Sequence, residues 1–556
     1  MEKNMLLNKF LDRVEFDSYE DFKQNYKLNI PENFNFGYDV VDAWAEYDET
    51  KVALAWSNDH GDEKIITFSE MKALSNKAAN FFTGLGIKKG DRVTLFLGRR
   101  WQYWVCAVAL HKIGAILIPA SLQLTAKDIK YRTSHANIKA VIAIDDAYVM
   151  EQMDAALPES PSVEHKIVVG SDCEGWINFD KAIALMSDVF ARPTGSDATH
   201  NDEIFLAYFT SGTAGMPKMV AHNHTHPLGH IVTAKYWHRV QEDSLHLTVS
   251  DSGWAKFGWG KIYGQWIAGA VIMAYDMDKF VPHNLIEKVV QYKPVTFCAP
   301  PTMFRFMIQE DLSGYDLSFI KHCSTAGEPL NPEVYSKWKE LTGLEICEGF
   351  GQSESSVLLA NFDGFTPQPG SMGKPAPLYD IAIVDEDGNV CDVGEEGELV
   401  VLNIDKYMPT GLFVELFGDE EGTKRILGGS IYRTGDIVWR DSKDYYWFVG
   451  RADDVIKCSG YRIGPFEVES ALMEHPSVLE CAITAAPDPI RGQVVKATIV
   501  LTRSYEPSDA LVKELQEHVK HATAPYKYPR IVEFVKELPK TTSGKIRRVQ
   551  IREDSK

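Results

Sequence analysis

Between residues 65 and 150, short apolar runs alternate with longer stretches whose apolar residues recur at helical spacing. Lys72 to Phe82 predicts an amphipathic helix that ends at Gly84 and Gly86. Arg92 to Leu97 predicts a strand, Trp101 to Ile113 a helix, and Ile116 to Pro119 a second strand. Val141 to Ile144 and Ile167 to Val169 continue the pattern. Strand–helix–strand alternation with short apolar strands implies a parallel sheet covered by helices. From about Asn201 to Phe448 the chain is richer in glycine, aromatics and loops, and after about Gly450 it changes character again. There, strands at Val455–Lys457, Cys481–Ala485, Ala497–Leu501 and Ile531–Val535 accompany helices at Pro465–Met473 and from Ser508 to about His521. The expected fold class is α/β, with a large N-terminal domain of helix-covered sheets (1–450) and a small C-terminal α+β domain (451–556).

Composition narrows the function. The chain is 45% hydrophobic and 24% charged over 556 residues, which excludes intrinsic disorder and disulfide-stapled miniproteins. None of the cysteines forms a CxxC pair, which argues against zinc ribbons, iron–sulfur runs and thioredoxin-like chemistry. Scattered thiols fit a reducing compartment. The first residues carry no apolar signal core and are too acidic for a transit peptide. The longest apolar stretch, Val105 to Ala120, is broken by His111 and Lys112, so no membrane span is expected. A net charge of −20 disfavours general nucleic-acid binding. These features predict a cytoplasmic enzyme of undetermined oligomeric state. Only residues 521–556 run basic, with nine Lys or Arg against four Asp or Glu. That excess reads either as a solvated surface or as a site for a polyanion such as a nucleotide or coenzyme A.

The most informative segment is Tyr208-Phe-Thr-Ser-Gly-Thr-Ala-Gly-Met-Pro-Lys218, which follows the apolar run Ile204 to Phe209. Gly212 and Gly215 let backbone N–H groups turn toward a phosphate. Thr210, Ser211 and Thr213 add hydroxyls, and Lys218 adds positive charge. The string is not a Walker A loop. Alone, a glycine-serine loop also fits a plain surface turn. The whole string resembles the phosphate loop of the adenylate-forming superfamily, which includes acyl-CoA synthetases, luciferases and peptide-synthetase adenylation domains. It departs at Ala214, where the family has a hydroxyl, leaving shape and a backbone amide.

Four further strings resemble that family's motifs, in the family's order. Gly349-Phe-Gly-Gln-Ser-Glu354, preceded by Glu348, contains Glu354, an oxygen ligand suited to Mg²⁺. The resemblance assigns Ser353 to the α-phosphate and Phe350 to adenine stacking, with Gly351 and Gln352 completing the turn. Gly327-Glu328-Pro329 resembles the adenine-side loop. Tyr432-Arg-Thr-Gly-Asp436 supplies an aspartate for the ribose hydroxyls. In Gly450-Arg-Ala-Asp-Asp-Val-Ile-Lys-Cys-Ser-Gly-Tyr-Arg-Ile463, Arg451 would contact ribose or phosphate and Asp453 would be the hinge of a mobile small domain. Ser459, Gly460 and Tyr461 would border the pantetheine path, and Arg462 would pair with phosphate in one domain orientation. Pro539-Lys-Thr-Thr-Ser-Gly-Lys545 ends on the lysine that the family uses in adenylation.

The resemblance implies an AMP-forming acyl-CoA synthetase that uses ATP, Mg²⁺ and coenzyme A on a medium-chain acid, whether straight, branched or aromatic. Two alternatives stay open: an enzyme loading a carrier protein, and a non-catalytic acid- or nucleotide-binding sensor. For the acyl pocket, acetate-activating relatives carry tryptophan where this chain has Gly351. The glycine is therefore expected to leave space for a longer acid, and Gly351→Trp to favour acetate. The aromatic segment Asp251 to Trp266 reads as core packing or as an apolar wall around the acid, with Trp254 as the expected contact and Gln123 as a further candidate. The segment Phe34 to Trp44 is similar to its counterpart in medium-chain relatives. His222, His224 and His226 follow the phosphate loop, where the family has a connecting segment, and are not assigned a metal.

Overall fold

The computed structural model describes residues 4–210, 217–458, 461–489, 491–540 and 545–554. Among the described residues, strands form three sheets, of eight, thirteen and five strands. The eight-stranded sheet grows from Arg92–Phe96, which pairs in parallel with Ile116–Pro119 and Ala140–Ile144. Ile204–Thr210 adds in parallel next to Ile116–Pro119, and Lys218–Asn223 returns antiparallel beside it. The expected helix at Lys72–Phe82 is longer, running Phe68–Gly84. Its true start is a capping box, in which Thr67 accepts from the Glu70 backbone and Glu70 reaches back to Thr67. The string Thr-Phe-Ser-Glu carries that signal.

The helix Gln102–Ile113 is buried on every side. A helix apolar all round belongs between layers, and this explains the charged residues that interrupt its run. Lys112 is wholly buried, and its Nζ donates to Asp42 Oδ1 and to Asn76 Oδ1, both at 2.7 Å. His111 Nε2 meets the Tyr263 hydroxyl at 3.1 Å. Both residues are satisfied inside the core. Among the described residues, no helix is long and apolar enough to cross a membrane.

The thirteen-stranded sheet has a parallel stretch flanked by antiparallel pairing, Glu63–Thr67 closing one edge antiparallel to Val52–Asn58. Val52–Asn58, Val271–Asp276, Leu245–Thr248, Thr296–Cys298, His322–Thr325 and Ile346–Phe350 pair in parallel. Beyond Ile346–Phe350 the pairing turns antiparallel and reaches Tyr446–Arg451 and Ile431–Arg440. Glu348 and Phe350 lie on the last parallel strand, and Asp436 and Arg451 on the antiparallel strands beyond it. The segments Phe34–Trp44 and Asp251–Trp266 supply core to this layer. Phe36 stacks on Trp266, and the Trp44 indole N–H donates to the Trp266 carbonyl at 2.6 Å.

The C-terminal sheet holds its own core, with Ile456, Ile463, Leu472, Ile483, Val495, Leu515 and Val519 buried together. The helix Pro465–Met473 forms as expected, and Ser508 caps Asp509–Ala522 by accepting from the Leu511 N–H. The hairpin Val478–Asp488 with Gly492–Leu501 is longer than its apolar cores suggested, because backbone pairing continues past them. The basic excess of this region is largely consumed inside it. Lys527 pairs with Glu467, Lys540 with Glu480, Arg548 with Glu469 and Arg552 with Asp454. These four cations serve the small fold, so for them neither the solvated surface nor the polyanion site holds.

Candidate active site

The strands Ile204–Thr210 and Lys218–Asn223 place Thr210 directly opposite Lys218. Both ends of the expected phosphate loop are thereby held side by side. Ser211, Gly212, Thr213, Ala214 and Gly215 lie outside the described residues, as do Ser459 and Gly460.

One hydrogen-bond network joins three of the motifs. Gln352 Nε2 donates to the Thr434 carbonyl at 2.8 Å and to Asp436 Oδ2 at 2.5 Å. The Tyr432 hydroxyl donates to Gln352 Oε1 at 2.6 Å. Arg451 stands opposite Asp436 in the strand register, pairs with it at 3.1 Å and donates to the Thr434 carbonyl at 3.0 Å. Gly435 makes this approach possible: its φ is +73°, and a Cβ there would lie 2.8 Å from the Arg451 guanidinium. Asp436 is 3% exposed, and burial pushes its carboxyl up against the pull of Arg451.

Glu354 follows the same turn. Burial pushes its carboxyl up, and Arg451 and Lys218 pull it back down. Among the described residues no ion pair engages it, which leaves a desolvated hard-oxygen donor. That donor suits Mg²⁺. The turn is fixed from behind. The Phe413 N–H donates to the Glu354 carbonyl at 2.7 Å, and His222 Nε2 donates to the Ser353 carbonyl at 2.8 Å. His222 lies against His226, ring centroids 3.8 Å apart, and His226 Nε2 meets His230 Nε2 at 3.0 Å. Burial pushes His222 down to about 4 and His230 to about 3, so the chain is neutral near pH 7. Among the described residues, no group of three or more His, Cys, Asp or Glu side chains is placed to hold a metal ion. The histidine run instead buttresses the Ser353–Glu354 turn, a role that no spacing rule reveals.

On the adenine side, Gly327 has φ +101° and Glu328 accepts from the Thr302 hydroxyl at 2.8 Å. Glu348 accepts from the Leu330 N–H, the residue after Pro329, and so ties this loop to the strand Ile346–Phe350. Glu348 is 4% exposed, and burial pushes its carboxyl up to about 8. Phe350 lies beside Phe448, with ring centroids 6.5 Å apart.

The acyl side corrects one expectation. The space beside Gly351 is filled, because a Cβ there would lie 2.3 Å from the Trp259 ring and 2.7 Å from the Ser356 carbonyl. Glycine serves close packing at this point, and Gly351→Trp would collide with Trp259 rather than fill an open pocket. Trp254 is half-buried and precedes the short helix Ala255–Gly260, while Gln123 is exposed. Sequence reading passed over Trp259 and also Lys256, whose Nζ donates to the Ala326 carbonyl at 2.8 Å. A charged residue inside an aromatic segment was the available signal for Lys256.

Lys545 reaches this centre from the C-terminal region, close enough for its charge to act on Asp436, against the rise that burial causes, and on Lys256, along with the fall that burial causes. Arg462 is not brought there. It pairs with Glu386, and Tyr461 stacks on Tyr526 at 4.2 Å. Asp453 sits in an exposed turn, and its neighbour Asp454 is held by Arg552.

The buttress and the buried acid can each be tested. His222→Phe keeps ring volume but loses the bond to Ser353, and should lower acid-dependent ATP–pyrophosphate exchange about tenfold with little change in melting temperature. Unchanged exchange would remove the buttress. Glu348 has a folded pKa raised above the unfolded value of about 4.3. Its contribution to stability is therefore full below that value and is lost as pH rises toward about 8. Melting curves from pH 5 to 8 should show wild type losing more stability than Glu348→Gln; parallel losses would contradict a buried neutral acid.

Comparison with known proteins agrees with the site. The AMP-binding enzyme family matches residues 41–404, and the AMP-binding enzyme C-terminal domain matches residues 467–545. Acyl-coenzyme A synthetase ACSM3, mitochondrial, of Homo sapiens is 42% identical over 97% of this chain and 92% of its own length. Acyl-coenzyme A synthetase ACSM5, mitochondrial, of Mus musculus is 43% identical over 94% of this chain and 91% of its own. Among solved structures, the anthranilate CoA ligase AuaEII in complex with anthranoyl-AMP superposes with a TM-score of 0.86 at 27% identity, covering 95% of this chain and 98% of that one. A benzoate CoA ligase from Burkholderia xenovorans gives 0.81 at 26% identity, covering 93% and 100%. These relatives also correct the cytoplasmic expectation, since the matching synthetases are named as mitochondrial. Free thiols fit any reducing compartment and did not discriminate between the two. With the family's two domains matched in order and the ATP-side motifs joined in one network, the chain belongs to the AMP-binding, adenylate-forming enzymes and is an acyl-CoA synthetase among them.

Proposed function

We propose that this acyl-CoA synthetase acts on medium-chain carboxylic acids, straight, branched or aromatic, as a medium-chain acid–thiol ligase. A carboxylate does not react with a thiol, because its leaving group would be oxide or hydroxide. Carboxylate oxygen first attacks the α-phosphorus of ATP; a new O–P bond forms and pyrophosphate leaves. The CoA thiolate then attacks the acyl carbonyl, a C–S bond forms, and AMP leaves with the electron pair of the broken C–O bond.

The observation that carries the ATP half is the convergence of Asp436, Arg451, Gln352, Glu354 and Lys545 from distant parts of the chain. Asp436 accepts from the ribose hydroxyls, and Arg451 favours its charged form beside them against the effect of burial. Glu354 would hold Mg²⁺, which supplies positive charge against the repulsion between carboxylate and triphosphate. Thr210, Lys218 and the loop between them take the phosphates, and Lys545 holds the carboxylate and the α-phosphate. Glu328, Glu348 and Phe350 shape the adenine side. Aromatic walls at Trp254 and Trp259 favour an apolar acid. We divide the chain near residue 450 and place the hinge at Asp453. Rotation there would withdraw Lys545 and bring the Ser459–Arg462 segment toward the thiol, releasing Arg462 from Glu386.

The test is a mass-spectrometric product assay with MgATP, CoA and a mixture of C2 to C12 and aromatic acids. A thioester of a C4 to C10 or benzoate-like acid, formed with AMP, is expected. Preference for acetate would overturn the medium-chain assignment, and acyl-AMP without thioester would redirect the acceptor to a carrier protein. Lys545→Ala should slow adenylation roughly 100-fold or more, while thioester formation from preformed acyl-adenylate keeps most of its rate.

A further inference from the structure

At one edge of the thirteen-stranded sheet, Ile381–Val384 pairs antiparallel with Glu396–Leu402. From Asp385 to Glu398 the chain carries seven acids and no lysine or arginine, so this edge presents negative charge. The turn after Ile381–Val384 is tied. The Asp385 carboxylate accepts from the Asn389 N–H at 2.8 Å, and the Asp385 N–H donates to the Asn389 carbonyl at 2.9 Å. Glu386 therefore stands on a fixed turn with its side chain exposed.

The C-terminal unit faces that turn with two cations. Lys457 and Arg462 lie directly opposite each other in the antiparallel pair Ile456–Cys458 and Tyr461–Ile463. Like charges at opposed positions of a strand pair repel. Here one anion serves both: Arg462 ion-pairs with Glu386, and the Lys457 Nζ lies 3.9 Å from the same carboxylate. Beside it, burial raises the Glu396 carboxyl while Lys527 and Arg462 act in the other direction. Glu386 precedes Asp453 in the chain, whereas Lys457 and Arg462 follow it, so both ion pairs cross the hinge placed there. They are made in the same arrangement that lets the Lys545 charge act on Asp436.

We propose that Glu386 is the latch of the adenylation orientation, a positioning residue that keeps Lys545 in the cleft by holding the Lys457–Arg462 pair. The inference rests on the reading that the C-terminal unit turns about Asp453 between the half-reactions. A contact made in one orientation only shifts the balance between orientations by its own free energy. An exposed ion pair contributes modestly, which suits a latch that opens in every turnover. Rotation that withdraws Lys545 parts Glu386 from its two cations. They are then again without an anion, and a phosphate of coenzyme A is the anion that the second half-reaction brings.

The test reads the ratio of the two half-reactions, because that ratio follows the balance of orientations whichever one predominates. Hexanoate and benzoate, each with its synthetic adenylate, serve as probes. In Glu386→Gln, thioester formation from the adenylate divided by ATP–pyrophosphate exchange should rise about threefold, with the melting temperature unchanged. Glu386→Lys should raise the ratio further. The shift should shrink between about 0.05 and about 0.5 M KCl, as an exposed pair requires. In a Lys457→Gln, Arg462→Gln background, adding Glu386→Gln should leave the ratio where it was. An unchanged ratio in the single variant, equal losses in both half-reactions, or the same shift in that background would overturn the latch. Lys545→Ala keeps the two readings apart. If it slows both half-reactions alike, the rotation itself falls and the latch with it. If it slows adenylation alone while Glu386→Gln leaves the ratio unmoved, only the latch falls.

Discussion

The Asp436–Arg451 pair, with Gln352 bridging it to the Glu354 turn, is the interaction on which the rest of the site depends. A carboxylate removed from water beside a partly exposed guanidinium is stable only when the hydrogen bonds of the pair are also met. Here they are met by the Thr434 carbonyl, held in the strand Ile431–Arg440, and by the Gln352 side-chain amide. The pair therefore converts strand register into site geometry. Its position at the end of Tyr446–Arg451 also matters, because the chain leaves the large sheet there and enters the C-terminal unit. The same arginine that pairs with Asp436 closes the last strand before the turn holding Asp453 and Asp454.

Much of the architecture was legible because its signals are local. Ser508 as an N-cap, Pro465 at a helix start and the apolar runs of the parallel strands each act within a few residues. The motif strings were legible for another reason: phosphate, ribose and metal demand particular side chains at fixed spacing, and Thr210, Glu354, Asp436 and Lys545 are of the residue types that the proposed reading needs. What was not legible depends on partners far apart in sequence. Gly351 reads as vacant space until Trp259 is placed against it, and the basic C-terminal stretch reads as a surface until Glu467, Glu469, Glu480 and Asp454 are seen to absorb it. Lys112 reads as a break in an apolar run until Asp42 is found beside it. In each case the residue type was visible and its partner was not.

The neutral histidine run shows a second limit of spacing rules. Histidines two and four residues apart suggest ligands, yet desolvation keeps these rings uncharged, and a neutral ring with one donor and one acceptor is suited to passing hydrogen bonds along a buried line. His222 ends that line on the Ser353 carbonyl. The phosphate-side turn is thus braced by Phe413 and His222 on its backbone and by Gln352 on its flank. Such bracing matters because donors aimed at developing charge help only when they need not reorganise during the reaction.

Electrostatics then assign the division of labour in the cleft. Adenylation must bring a carboxylate to a triphosphate, two anions that repel in a medium where charge is poorly screened. The site answers with cations of different mobility. Arg451 is fixed by its aspartate and Lys218 by its strand, whereas Lys545 lies near the end of the chain and follows the C-terminal unit. On the proposed reading, fixed cations suit the nucleotide phosphates, which stay charged through both half-reactions, whereas a mobile cation suits the carboxylate, whose charge is gone once the adenylate forms.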